Sequence, residues 1–395
     1  MRTFPDEFLW GAATSGHQTE GNNINSDYWV RECAPDSEIP ERSGDACDSF
    51  HRYPEDIALL AGTGLNTYRF SLEWSRIEPE RGHVSVAMLD HYRRMVECCH
   101  QHGVTPMVTL NHFTVPRWMN ALGGWHNPGA AGLFARFTEL ALPVLREGVG
   151  WVCTINEPNI IACAEGAKDP TAPPVSHGMA RPDRAVSASL AAAHRLSREV
   201  LATIGGVRSG WTVATQAIHP LPGCDAAARE YSYPIEEYFL EVARGDDFIG
   251  VQAYTRTFVG PAGALPPPPG AETTLTGWEY FPAALEIGIR NAWQVTGGVP
   301  IVVTENGIAT GDDHRRIDYT SEALAGLHAA MSDGVTVDGY LHWSLLDNYE
   351  WGRYSPTFGL IAVDRKSFHR TVKPSAHWLG AVARANALPV EVPVS

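Results

Sequence analysis

Short apolar runs rich in β-branched and aromatic residues alternate with longer stretches of helical spacing along almost the whole chain. The short runs predict strands near Phe8–Thr14, Asn66–Phe70, Thr105–Leu110, Trp151–Ile155, Gly210–Thr215, Phe248–Gln252, Pro300–Thr304 and Val337–Trp343. Between them, apolar positions spaced three and four apart predict helices over Tyr53–Ala61, Val86–His102, Ala130–Glu147, Arg184–Thr203, Glu236–Arg244, Pro282–Val295 and Glu322–Ser332, with Lys373–Arg384 after the last strand. Strands that alternate with helices imply a parallel sheet joined by right-handed crossovers, and eight such units imply closure into a (β/α)8 TIM barrel, an α/β fold. An open doubly wound sheet shares the alternation, but no G-x-G-x-x-G follows the first strand. The Pro-rich tract Leu265–Gly270 interrupts the unit after the sixth strand and reads as a rigid exposed loop, so residues 1–395 are taken as one barrel domain.

Composition narrows the class. With 44% hydrophobic and 19% charged residues the chain can bury a large core, which argues against disorder. A formal net charge of -15, with no Lys/Arg-rich stripe to overturn it, would repel a phosphate backbone, so nucleic acid is not an expected partner. No apolar run reaches the roughly 18 to 20 residues that span a bilayer, and the first residues lack the pattern of a signal peptide. The expected location is therefore the cytoplasm, with no membrane partner. Seven cysteines, an odd number without a C-x-x-C pair, suggest reduced and mostly buried thiols rather than a disulfide framework or a zinc knuckle.

Barrel enzymes place their chemistry where the strands end, and polar residues cluster at those ends here. Gln18 and Glu20 follow the first strand, Arg69 lies in the second, and Asn111-His112 ends the third. Asn156-Glu157 ends the fourth, Gln252 and Tyr254 the sixth, Glu305-Asn306 the seventh and Trp343 the eighth. Two carboxylates on opposite sides of one barrel mouth suit glycoside hydrolysis, in which one group donates a proton while the other meets the anomeric carbon. A spacing of about 5 to 5.5 Å between Glu157 and Glu305 would give retention through a covalent intermediate, and a wider gap inversion.

Neighbours assign the roles. Arg69 and the Tyr254 hydroxyl are expected to keep Glu305 ionised as nucleophile, and repulsion from that charge to raise the proton affinity of Glu157, the acid and later base. Gln18, His112, Asn156 and Glu350 can meet ring hydroxyls, while Phe113, Trp343, Trp351 and Phe358 offer flat apolar surface. Each residue taken singly has a duller reading. An N-E-P or T-E-N-G arises by chance, Arg69 could be a structural ion-pair partner, His112 a core histidine, and most of the twelve tryptophans packing. Their joint placement carries the functional reading.

The same residues resemble glycoside hydrolase family 1, the β-glucosidase family, over nearly the whole chain. The resemblance rests on Phe8-Leu9-Trp10-Gly11-Ala12-Ala13-Thr14 through Gln18-Thr19-Glu20-Gly21, on Tyr68-Arg69-Phe70-Ser71 with Trp74-Ser75-Arg76-Ile77, and on Thr109-Leu110-Asn111-His112-Phe113. It continues through Thr154-Ile155-Asn156-Glu157-Pro158, Thr304-Glu305-Asn306-Gly307 and Trp343-Ser344-Leu345-Leu346-Asp347-Asn348-Tyr349-Glu350-Trp351. It implies a (β/α)8 fold and a retaining mechanism, with Glu157 as acid/base and Glu305 as nucleophile, acting on a small β-glycoside or oligosaccharide. It also implies that Gln18, His112, Asn156, Glu350 and Trp351 grip the sugar above Trp343, and that no cofactor or metal is needed. An acidic Glu350 beside Trp351 favours an unphosphorylated sugar, because a carboxylate would repel a phosphate.

The chain departs from the family pattern at several positions. Gln252 stands where Asn is usual, Asn159 and Phe113 where larger aromatics are common, and Thr357 where a basic residue precedes Phe358-Gly359. The stretch between Glu165 and Arg181 is short, which predicts an open leaving-group side. Three other readings compete. A binding-only barrel would lack one of the two carboxylates, a transglycosylase would pass the same intermediate to an alcohol, and a metal-dependent hydrolase would need several ligands at strand ends. Of the sixteen histidines, only His112 is read at a strand end.

Overall fold

The computed structural model describes residues 2–171, 175 and 177–389. Eight parallel strands close into a barrel: β1 (Leu9–Ala13), β2 (Thr67–Ser71), β3 (Thr105–Asn111), β4 (Trp151–Asn156), β5 (Arg208–Thr215), β6 (Ile249–Ala253), β7 (Ile301–Glu305) and β8 (Val337–Trp343). Each pairs with the next in sequence, and β8 closes on β1 from Gly339 opposite Leu9 to Trp343 opposite Ala13. The strands are buried on both faces, which is why they read as continuous apolar runs without alternation. Where two backbones must meet there is no room for a side chain: a Cβ on Gly210 of β5 would lie 2.0 Å from the Phe248 carbonyl oxygen.

Inside the barrel, Leu9, Met107, Cys153, Phe248, Val302 and Leu341 form a separate apolar layer. All but Leu341 come from the first halves of their strands or the residue just before one, so they make the floor on which the polar side chains of the strand ends rest. Outside lie α1 (Ser49–Thr63), α2 (Val86–Gln101), α3 (Ala130–Leu145) and α4 (Arg184–Leu201), whose apolar faces join the strands in one large cluster. The Ser85 and Asp183 side chains cap α2 and α4 by accepting from the Met88 and Val186 amides. After β5 comes α5, which runs from Asp225–Ser232 through a wide turn at Tyr233–Glu237 into Tyr238–Val242; α6 (Ala284–Thr296), α7 (Asp313–Ser332) and α8 (Pro374–Ala385) complete the shell.

Three expectations need correction. Helix α5 begins at Asp225 rather than Glu236, because the missing amide of Pro234 is absorbed in a π turn instead of ending the helix. Helix α7 begins at Asp313 rather than Glu322, capped by Asp312, whose side chain accepts from the His314 amide; its first turns are polar and are buried through Arg316, Tyr319, Thr320 and Ser321, which hides the periodicity. The Pro-rich tract is not a loop throughout. Leu265 ends a short strand, Gly263–Leu265, that pairs with Thr257–Gly260, and Ile218–Pro220 joins them in a small sheet above β5 and β6.

At the chain ends, Arg2–Thr3 pairs antiparallel with Ala387–Leu388. No helix among the described residues is long and apolar enough to cross a membrane. All seven cysteines are free thiols, and five are buried.

Candidate active site

Glu305 is the last residue of β7, and Asn156 is the last of β4. Glu157 follows Asn156 with φ 44°, a left-handed conformation that lets Pro158 start a new helix, Pro158–Gly166, at once. The Glu157 amide is held by the Thr212 carbonyl of β5 at 2.9 Å. Phe113 and Trp351 are also left-handed, with φ 69° and 47°. Such backbone costs about 1–3 kcal/mol per residue and persists only where the surroundings hold it.

These elements enclose a cavity of about 850 Å³, open at the carboxyl ends of the strands. Gln18, His112, Phe113, Glu157, Gln252, Tyr254, Glu305, Trp343, Glu350, Trp351 and Phe358 all line it. Arg69 and Asn156 lie fully buried beside that lining and reach it through their partners. Arg69 Nη1 meets Glu305 Oε1 at 2.7 Å, its Nη2 donates to Asn156 Oδ1 at 2.5 Å, and its Nε donates to Thr109 Oγ1 at 2.9 Å. The Tyr254 hydroxyl donates to the other carboxylate oxygen, Glu305 Oε2, at 2.6 Å. Both oxygens of Glu305 are therefore held by strong donors, one of them a permanent cation.

The two carboxyls are unequal. Burial raises the Glu157 carboxyl well above the usual carboxylate range, and the negative charge of Glu305 pushes it further in the same direction. Burial also raises Glu305, but there Arg69 and the Tyr254 hydroxyl oppose it. When the pair carries one proton, it sits on Glu157 and the charge on Glu305.

A second polar group faces them. Gln18 Nε2 lies 3.2 Å from Glu350 Oε2, and Trp343 Nε1 donates to Glu350 Oε1 at 3.2 Å. Burial nevertheless pushes the Glu350 carboxyl up to about 8, helped by Glu305 against the Trp343 hydrogen bond. His112 stays neutral because burial and Arg69 hold it well below its ordinary value. Its Nε2 is 3.3 Å from Asn156 Nδ2, and its Nδ1 has no partner. Gln252, opposite Glu305 in the β6–β7 register, donates from Nε2 to Asn156 Oδ1 at 2.8 Å and leaves its buried Oε1 unpaired. Two buried polar atoms without partners beside the carboxyls are suited to receiving ligand hydroxyls.

Several strand-end residues named from sequence are not part of the cavity wall. Glu20 pairs with Arg76 at 2.7 Å, Asn111 holds the Thr114 carbonyl, and Asn306 holds that of Ala253. Asn159, which stands where an aromatic is common, turns into β5 and bonds the Ala214 backbone in both directions. The reading of His112 as the lone strand-end histidine also fails. His17 follows β1 and His342 lies in β8, although no group of three or more His, Cys, Asp or Glu among the described residues could hold a metal.

His17 is the main residue that sequence reasoning passed over. Its fully buried ring stacks on Trp351 at 5.6 Å and 5°. Trp351 in turn lies near-parallel to His112, and His112 to Trp343, at 6.4 and 5.7 Å. The signal was its place beside Gln18, but nothing local shows that this ring supports another far along the chain. Trp278, Ile160, Ile161 and Phe258, which also line the cavity, were missed for the same reason. The shortened stretch after Glu165 lies partly outside the described residues.

The sequence profile of glycosyl hydrolase family 1 matches residues 1–246 and 264–388. The chain belongs to that family. It is 32% identical to the thermostable beta-glucosidase B of Thermobispora bispora, over 98% of this chain and 92% of that one. Among solved structures it resembles the beta-glycosidase BGL167, with 44% identity, 99% of both chains covered and a TM-score of 0.89. It also resembles the beta-glucosidase from Thermotoga maritima in complex with glucoimidazole, with 27% identity, 98% and 100% covered and a TM-score of 0.89. The family-1 barrel described above is thus that of a β-glycosidase.

Proposed function

We propose that this family-1 enzyme is a retaining β-glucosidase acting on unphosphorylated β-glycosides. The observation that carries the reading is the unequal carboxyl pair in one cavity, Glu305 clamped by Arg69 and Tyr254 and Glu157 left to burial and repulsion. In the first step a Glu305 oxygen attacks the anomeric carbon while Glu157 protonates the departing glycosidic oxygen, giving an alcohol and a covalent glycosyl-enzyme. Esterification removes the negative charge from Glu305, so the Glu157 carboxyl becomes more acidic and its carboxylate takes a proton from water. The hydroxide oxygen then displaces Glu305, and the second inversion restores the β configuration.

Gln18, Glu350, His112 and Gln252 would meet ring hydroxyls, with Asn156 buried behind His112 and Gln252 to hold them, and Phe113, Trp343, Trp351 and Phe358 against the apolar faces of the sugar. A phosphate beside Glu350 would meet a carboxyl instead of a cation, which supports the unphosphorylated substrate. One catalytic domain suffices for this chemistry, and the free thiols suit a reducing compartment such as the cytoplasm. Incubation with a panel of aryl β-glycosides, followed by NMR of the freshly released sugar, tests the reading. β-Glucose as first product is expected; α-glucose would overturn retention, and release from a different sugar alone would overturn the specificity.

Within this reading His17 positions the Trp351 indole. Replacing His17 by Ala is expected to raise KM roughly tenfold, the size of one lost apolar contact in a pocket, with kcat within a few-fold. His17→Phe, which keeps a ring to stack on, should recover most of the loss. Equal KM values for all three proteins would remove the role.

A further inference from the structure

Two residues past the end of β2 lies a buried carboxyl, Glu73, that the proposed reaction does not use. It occupies the cap position of the short helix Trp74–Ile77, yet its side chain makes no capping hydrogen bond. It turns instead toward the segments that follow β1 and β3. One oxygen, Oε2, accepts from Asn23 Nδ2 at 2.6 Å and from Thr114 Oγ1 at 2.9 Å. The other, Oε1, lies against Gly16, where a Cβ would come within 2.7 Å of it. A glycine at that position lets the carboxyl approach so closely.

Each of the two bonds leads to the cavity wall. Asn23 Nδ2 also lies 3.3 Å from His17 Nδ1, and because an amide N–H only donates, that ring nitrogen is the acceptor. The Asn23 side-chain oxygen is occupied by the Ser75 hydroxyl at 2.6 Å, which fixes the amide in this orientation. The His17 ring in turn stacks on Trp351. On the other arm, Thr114 follows His112 and Phe113, and its amide donates to the His112 carbonyl at 2.9 Å. Phe113, held left-handed, meets the Trp351 indole edge-on at 5.0 Å and 82°. Two arms from one carboxyl oxygen therefore reach the same indole, one through a stacked ring and one through an edge.

Resting on the retaining β-glucosidase reading, we infer that Glu73 is a positioning residue for sugar binding, which sets Trp351 and the His112–Phe113 turn by holding Asn23 and Thr114 at one oxygen. Side chains that line a site keep a productive geometry only where packing and hydrogen bonds behind them lock their rotamers. The carboxyl does this as a neutral acid. Burial and the charge of Glu20 push it up to about 8, against the Thr114 and Asn23 hydrogen bonds and the nearby Arg76. The proton then sits on Oε1, which has no other partner. Glutamine would keep the accepting oxygen and the neutral charge.

The test measures KM and kcat on an aryl β-glucoside together with thermal unfolding. Glu73→Ala is expected to raise KM about tenfold with kcat within about threefold, the cost of one misfitted contact in a pocket. Glu73→Gln should bring KM back to within about threefold of the unaltered enzyme, because the accepting oxygen is kept. A carboxyl that served stability alone would lower Tm and the active fraction, and hence the apparent kcat, while leaving KM where it was. Unchanged KM in folded Glu73→Ala, or Glu73→Gln as impaired as Glu73→Ala, would overturn the inference. Should Glu73→Ala not fold, Thr114→Val decides, since it cuts one arm and keeps the carboxyl: KM raised about threefold or more upholds the role, and unchanged KM refutes it. If the unaltered enzyme hydrolyses no β-glucoside, the catalytic reading falls by itself. Calorimetry with phenyl β-thioglucoside then judges Glu73: weaker binding by Glu73→Ala that Glu73→Gln restores upholds the role, and equal behaviour of all three proteins, absence of binding included, refutes it.

Discussion

Replacing Glu305 by Ala is expected to lower kcat on an aryl β-glucoside by roughly 10⁴-fold or more, the scale seen when a residue that bonds to the substrate is lost. The variant keeps Glu157 and the rest of the cavity wall but has nothing to form the covalent intermediate. It also leaves the buried Arg69 without its carboxylate, a change that costs about 3–5 kcal/mol when one partner of a buried pair is removed. Stability should therefore be measured beside activity, and a folded but inactive protein is the informative result. With a 2,4-dinitrophenyl glucoside, whose leaving group needs no proton, added azide fits the space vacated by the carboxylate. It would attack from the same side, so turnover should partly return with the α-glycosyl azide as product. Recovery of the β-azide would exchange the roles assigned to Glu157 and Glu305.

The second large effect concerns Glu157, the proposed proton donor. Glu157→Gln should cut kcat/KM by about 10²–10⁴ for an unactivated alcohol leaving group, the usual contribution of a positioned acid, and far less for the dinitrophenyl compound. The sign of the pH dependence follows from the two carboxyls. As the proposed acid, Glu157 would work in the first step only while protonated, so kcat/KM should fall as pH rises through its elevated pKa. As the proposed nucleophile, Glu305 would work only when ionised, so kcat/KM should also fall as pH drops through its own. The resulting bell belongs to the coupled pair rather than to either group alone. In Glu157→Gln, assayed with a phenyl β-glucoside, whose leaving group does need a proton, the alkaline limb seen with the unaltered enzyme should vanish while the acid limb remains. An unchanged alkaline limb would show that another group, such as Glu350, supplies it.

Much of this was legible in one dimension. All eight strands were marked by short apolar runs, because a strand covered on both faces tolerates little else, and the helices by three-and-four spacing. The shortfalls in α5 and α7 arose where local cues mislead: a proline that the helix absorbs, and polar first turns held by tertiary contacts of Arg316. The strand-end rule named Glu157, Glu305, Gln18 and Glu350 along with Glu20, Asn111 and Asn306, and it had no means of separating the two sets.

By itself, then, the order of residues determined the barrel and the kinds of side chain gathered at its mouth, since both follow from periodicity and from where strands stop. Only the tertiary structure decided which of those side chains share a cavity. A left-handed residue at Glu157, the inward turn of Asn159, and a guanidinium that ties β2 to β4 and β7 are consequences of packing between segments remote in sequence. The proton affinities depend on the same distances and on the exclusion of water, because a charge is stabilised or penalised by what surrounds it in space and not by its neighbours along the chain.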